Sequence, residues 1–182
     1  MSKFTFITGG RRSGKSSYAL ELAESMGEKR LYIATAEALD DEMKDRIARH
    51  REERGDGWDT AEEPIDIVNI LAHSQKYDVI LIDCLTLWLC NIMHNEECRG
   101  EKVGEPDDET IMKHIQTLAD SCVSSDTNII AVTNELGLGV IPGDPLSRRF
   151  TDLAGIMNQR MAAAADRVVL TLSGIALTIK GK

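Results

Sequence analysis

The chain has 182 residues, enough for one α/β domain with its own core and too few for two ordinary ones, so a single domain over 1–182 is expected. With 42% hydrophobic and 28% charged residues and no Pro-, Ser- or Gln-rich tract, the composition excludes a disordered chain. A net charge of −9 and only 4% aromatic residues argue against a nucleic-acid surface, which needs basic stripes or stacking platforms.

Anionic ligands must then meet local cations, and two clusters offer them: Arg11, Arg12 and Lys15, and Arg46, Arg49, Arg51 and Arg54. The first follows directly on the first β-like run, "KFTFIT" from Lys3, an early start that leaves no room for a cationic, apolar signal peptide. After that run, Gly9, Gly10, Arg11, Arg12, Ser13, Gly14, Lys15 and Ser16 fit the pattern G-x-x-x-x-G-K-[ST] and open a helix expected over about 15–26. Glycines let backbone N–H groups converge on phosphate oxygens, and the helix N-terminus adds partial positive charge. Lys15 would reach the β- and γ-phosphates, and the Ser16 hydroxyl would ligate Mg2+.

A second strand, "LYIAT", precedes a helix expected at about 39–54. On that helix Leu39, Met43, Ile47 and His50 share one narrow arc, with the second arginine cluster around His50. Such a histidine is commonly a satisfied core or helix-end residue, and the arginines can form a solvated face paired with Glu52 and Glu53. The functional alternative is a neutral imidazole that attacks a nucleotide phosphate while the arginines neutralise developing charge. His73, His94 and His114 have no comparable cationic surroundings.

A helix is expected at about 64–74, and then the apolar run "DVILID" ends in Asp83, where a strand-end carboxylate can hold a metal, cap a helix or sit in solvent. The longest apolar stretch, "VILIDCLTLWLC", is too short and interrupted to span a bilayer, so a cytoplasmic protein is expected. Cys84, Cys90, Cys98 and Cys122 lack C-x-x-C spacing and read as structural thiols in a reducing compartment. Residues 95–107, acidic and without periodicity, read as a mobile surface loop.

A helix at about 108–124 leads to "NIIAVT", whose end places Asn134 and Glu135 at the sheet edge where open α/β sheets bind ligands. The helix expected at about 146–165 carries Phe150, Leu153, Met157, Met161 and Ala164 as a core stripe. "RVVLTL", the Ser173-Gly174 turn and "IALTIK" then predict a closing antiparallel hairpin. Nearly continuous apolar strands alternating with helices predict a mostly parallel α/β sheet covered on both faces.

Taken in order, "TGGRRSGKS", "LYIATAEALDDEMKDRIARHREER", "WDTAEEP", "VTNELGLGVIPGDPLSRRFTDLAGIMNQRMAAAAD" and "SGIALTIKG" resemble the bifunctional adenosylcobinamide kinase / adenosylcobinamide-phosphate guanylyltransferase family of cobalamin biosynthesis. The resemblance implies a P-loop fold of the RecA-like kind, a homotrimer and two reactions. ATP or GTP phosphorylates adenosylcobinamide, and GTP then donates GMP to adenosylcobinamide phosphate through a guanylylated histidine, which aligns with His50. Family nucleotide contacts match Gly9 to Ser16, Thr35, Ala36 and Glu37, Arg51, Glu52, Glu53 and Arg54, and Glu62, and the reading of the residues themselves adds Asp83 at the nucleotide and Mg2+ on Ser16 and Asp83. Asp83 departs from the resemblance, since one member of the family has a glutamate at this strand end. Two other classes remain open: a plain P-loop small-molecule kinase or ATPase with a structural His50, and a non-catalytic nucleotide-binding regulator.

Overall fold

The computed structural model describes residues 3–37, 41, 44, 48, 51–52, 55–94 and 107–181. Among the described residues seven strands form one sheet in the order β3-β2-β4-β5-β1-β6-β7. They are β1 (Phe4–Gly9), β2 (Arg30–Ala34), β3 (Asp59–Glu62), β4 (Val79–Asp83), β5 (Asn128–Val132), β6 (Arg167–Leu172) and β7 (Ile175–Lys180). Every pairing is parallel except β6 with β7, the expected closing hairpin.

Side chains alternate between the two faces of a strand, and both faces are buried. Phe4, Phe6, Leu31, Ile33, Ile80, Ile82, Ile129 and Val168 join one core, packed under helices α2 (Ile67–Ala72), α3 (Leu85–His94), α4 (Asp108–Ser124) and α5 (Pro145–Ala164). Ile7, Tyr32, Val79, Leu81, Ile130, Val132 and Val169 face the other way and meet Ala19 and Ala23 of α1 (Lys15–Glu24) and Trp58. Two-sided burial is why these strands read as unbroken apolar runs.

Helix starts follow from side-chain caps that satisfy otherwise orphaned N–H groups. Asp66, Asp107 and Asp144 accept from the backbone N–H of Asn69, Thr110 and Ser147, and Pro145 opens α5 with its φ preset. Leu153, Met157 and Met161 of the expected stripe are buried, with Phe150 and Ala164 packed at its margin.

Two elements were not anticipated. β3, "DTAE", is a polar edge strand with no alternation to betray it, and α3 is apolar on nearly every side because it is buried, so "VILIDCLTLWLC" divides into a strand and a helix. Asp41, Lys44, Ala48, Arg51 and Glu52 are helical, within the helix expected at 39–54. Leu39, Met43, Arg46, Ile47, Arg49, His50, Glu53, Arg54, Cys98 and the 95–106 part of the expected loop lie outside the described residues. Among the described residues no helix is long and apolar enough to cross a membrane.

Candidate active site

The segment Gly9 to Ser16 leaves the C-terminal end of β1 and enters α1 through Gly14, whose φ of 92° favours glycine. The loop is held by the far end of the chain. Ser13 Oγ lies 2.7 Å from Thr171 Oγ1, Gly174 N–H donates to Ser13 O at 3.0 Å, and Thr171 Oγ1 donates to Thr8 O. A Cβ on Gly9 would overlap the carbonyl and hydroxyl of Thr171, and one on Gly14 would come within 3.2 Å of Gly174 Cα. Strand β6 and the hairpin turn thus fill the space behind the loop, leaving no room for a Cβ at Gly9 and little at Gly14.

Lys15 is buried, and its Nζ donates to Gly10 O at 2.7 Å, so the ammonium rests on the loop's own backbone. Arg11 and Arg12 are exposed at the loop tip, Arg12 with a φ of 57°. Ser16 is half-buried in the first turn of α1.

Between the loop strand and the acid strand lies β5, so Asp83 at the end of β4 stands two strands from β1, about 10 Å along the edge. Tyr32 Oη donates to Asp83 Oδ2 at 3.0 Å and fixes the carboxylate while lone pairs remain on both oxygens. Burial, and secondarily the Asp83 carboxylate, pushes the neighbouring Cys84 thiol up to about 11, so it stays protonated at neutral pH.

Among the described residues there is no cluster of three or more His, Cys, Asp or Glu side chains that could cage a metal. A Mg2+ ion held by one hydroxyl, one carboxylate, water and substrate phosphates needs no such cage, and the donor set of Ser16 and fixed Asp83 fits that arrangement.

Further along the same edge, a cleft of about 530 Å³ is lined by Ala36, Glu37, Lys44, Ala48, Arg51, Glu62 and Pro64. It unites the ends of β2 and β3 with the helical residues of the 39–54 segment. Arg51 and Glu62 pair across it. Thr35 lies beneath, fully buried, its Oγ1 donating to Cys84 O and accepting from Cys84 N–H, both at 2.8 Å. Its side chain therefore ties β2 to β4, while Ala36 and Glu37 reach the cleft. Glu52 is exposed.

The end of β5 carries a buried polar chain that the sequence reading missed. Asn134 N–H donates to Thr86 Oγ1 at 2.8 Å, and Thr86 and Thr133 hydroxyls lie 3.2 Å apart. Thr133 Oγ1 donates to Asn158 Oδ1 at 3.0 Å, and Asn158 Nδ2 reaches Asn134 O at 3.2 Å and Glu135 Oε2 at 3.4 Å. Asn158, only 7% exposed, interrupts the apolar stripe of α5, and a polar residue at a core position was the available signal. Glu135 itself lies where expected, its N–H donating to Gly9 O at 3.0 Å.

Residues 5–179 match the family model described as CobU: Cobinamide kinase / cobinamide phosphate guanyltransferase. The chain belongs to this family. Among curated relatives, the bifunctional adenosylcobalamin biosynthesis protein CobU of Salmonella typhimurium is 41% identical over 181 residues, covering 96% of this chain and 98% of that one. CobU of Escherichia coli K12 is 38% identical over 182 residues with the same coverage, and CobP of Pseudomonas aeruginosa is 40% identical over 177, covering 97% and 96%. This CobU-family chain is therefore an enzyme of the cobinamide kinase / cobinamide phosphate guanyltransferase type.

Solved structures agree on the fold alone. A type III secretion system ATPase superposes with a TM-score of 0.57 at 11% identity, covering 98% of this chain and 58% of that one. The ATP synthase subunit NeqB from Nanoarcheaum equitans gives 0.50 at 12%, covering 93% and 45%. The CobU-family sheet is thus a P-loop NTPase fold, as its loop motif implied.

Proposed function

We propose that this enzyme phosphorylates the hydroxyl of adenosylcobinamide with ATP or GTP, then transfers GMP from GTP to adenosylcobinamide phosphate through guanylylated His50, releasing pyrophosphate and adenosylcobinamide-GDP. The observation that carries the reading is that phosphate loop, strand-end acid and the cleft lined by Arg51 and Glu62 lie along one edge of one sheet. Ligands of open α/β sheets occupy that edge.

In this reading the backbone N–H groups of Gly9 to Ser16 cradle the phosphates, and Lys15 leaves Gly10 O to neutralise them. Ser16 and Asp83 would hold Mg2+, which when bound would add charge neutralisation at the phosphates. Ala36, Glu37, Arg51, Glu52, Glu53, Arg54 and Glu62 hold the nucleoside end. A covalent histidine divides nucleotidyl transfer into two in-line displacements: His50 nitrogen bonds the α-phosphorus as pyrophosphate leaves, and the acceptor phosphate oxygen then displaces His50.

We also propose a cytoplasmic homotrimer. The apolar face of the edge strand β7, with Ile175, Leu177 and Ile179 exposed beside Leu172, supports assembly with other copies.

Incubation with α-³²P-labelled GTP and Mg2+ tests the reading. A labelled band that acid removes, and that is missing in His50→Ala, is the expected result. Wild-type protein that binds GTP without forming the band would indicate a simple kinase.

A further inference from the structure

We propose that Glu135 is the catalytic residue that takes the proton from the acceptor hydroxyl during phosphoryl transfer, and that Asn158 positions it. The inference rests on the kinase half of the function proposed above.

Three carboxylates end strands at the functional edge: Glu62, Asp83 and Glu135 close β3, β4 and the β5 exit. Glu62 is paired with Arg51, and Asp83 receives Tyr32 two strands away from the loop. Glu135 alone of these follows the strand paired with β1, and its own N–H is bonded to Gly9 O, the first residue of the phosphate loop. A base must stand within hydrogen-bond reach of the hydroxyl that attacks the γ-phosphorus, so proximity to the loop is the first requirement.

The carboxylate is held by neutral donors. Gly137 N–H donates to Oε1 at 3.0 Å and the Asn158 amide reaches Oε2 at 3.4 Å, so each oxygen retains a lone pair for a hydroxyl. Asn134 O and the Glu135 carboxylate can only accept, so the Asn158 NH2 faces them and Oδ1 faces Thr133. The single Thr133 hydroxyl proton goes to Asn158 Oδ1, so Thr133 must accept from Thr86, whose own oxygen accepts from Asn134 N–H. A buried polar chain is costly unless fully satisfied, and apolar packing would serve α5 equally well for stability alone. Its output is the orientation of one carboxylate.

In the step, the acceptor oxygen bonds the γ-phosphorus and the bond from that phosphorus to the bridging oxygen breaks. The electron pair leaves on ADP or GDP, and the hydroxyl proton passes to Glu135, which later returns it to water.

Glu135→Gln keeps the acceptor for Gly137 N–H and removes the base. With purified full-length protein, adenosylcobinamide and ATP, the expected result is a loss of kcat of about 100-fold or more, with the KM for ATP within about twofold. GMP labelling at His50 should be unchanged, because no hydroxyl proton moves in that step. Asn158→Ala should lower kcat about tenfold without changing the KM for ATP, and should add nothing further in the Glu135→Gln background. Kinase kcat retained in Glu135→Gln, or a parallel loss of nucleotide binding and GMP labelling, would overturn the assignment. Wild-type protein that forms no phosphorylated product would instead overturn the kinase reading on which it rests.

Discussion

The Ser13 and Thr171 hydroxyls, 158 residues apart in sequence, lie 2.7 Å apart and couple the phosphate loop to β6. Thr171 also donates to Thr8 O, so this one side chain braces both ends of the loop's entry. Thr171→Val would leave a buried Ser13 hydroxyl and the Thr8 carbonyl short of a partner, at a cost of about 1–3 kcal/mol. Urea denaturation should show that loss, and calorimetric titration should show weaker GTP binding, since the loop is then less preorganised.

Gly9→Ala should be worse than Gly10→Ala. A Cβ at Gly9 meets the fixed backbone of Thr171, whereas one at Gly10 meets nothing within 4 Å. The first variant is expected to lose about 1–3 kcal/mol by overpacking and the second to remain near wild type in stability. Thermal melts of the two proteins, side by side, decide it.

Arg51 and Glu62 should matter for ligand and not for fold. Each side chain is 57% exposed, and an exposed pair contributes under about 1 kcal/mol. Glu62→Gln is therefore expected to leave the urea midpoint nearly unchanged while weakening nucleotide binding, and equal loss of both would show that the pair is structural.

Alkaline pH should unfold the protein partly through its thiols. Burial raises the Cys122 thiol from its usual 9.0 to about 12, and Cys84 rises to about 11 in the same direction. The folded state holds these protons longer than the unfolded chain, so the stabilisation is whole below pH 9 and drains between pH 9 and 12. Stability of Cys122→Ala, measured by urea titration at pH 8 and pH 11, should fall less between the two than wild type.

Much of the site was legible because its chemistry is local. The loop from Gly9 to Ser16 needs a strand before it, glycines within it and a helix after it, all contiguous in the chain. Asp83 declared itself by ending an apolar run, and Glu135 by ending another. The cleft was legible only through family resemblance, since Arg51 and Glu62 belong to different elements and Glu62 ends a strand whose polar sequence, "DTAE", carries no periodic signal.

Apart from β3 and α3, local sequence determined which segments become strands and helices, which residues could cradle phosphate, and that the sheet must be covered on both faces. Unbroken apolar runs in the doubly covered strands and a period of 3.6 in the amphipathic helices carry that information within each segment. Tertiary structure alone decided that β5 separates β1 from β4, that Thr171 and Gly174 stand behind the phosphate loop, and that Asn158 on α5 meets Thr133 and Glu135. These contacts join residues far apart in the chain through strand order and helix docking. No local periodicity encodes them, because they depend on which covered faces pack together rather than on which residues follow one another.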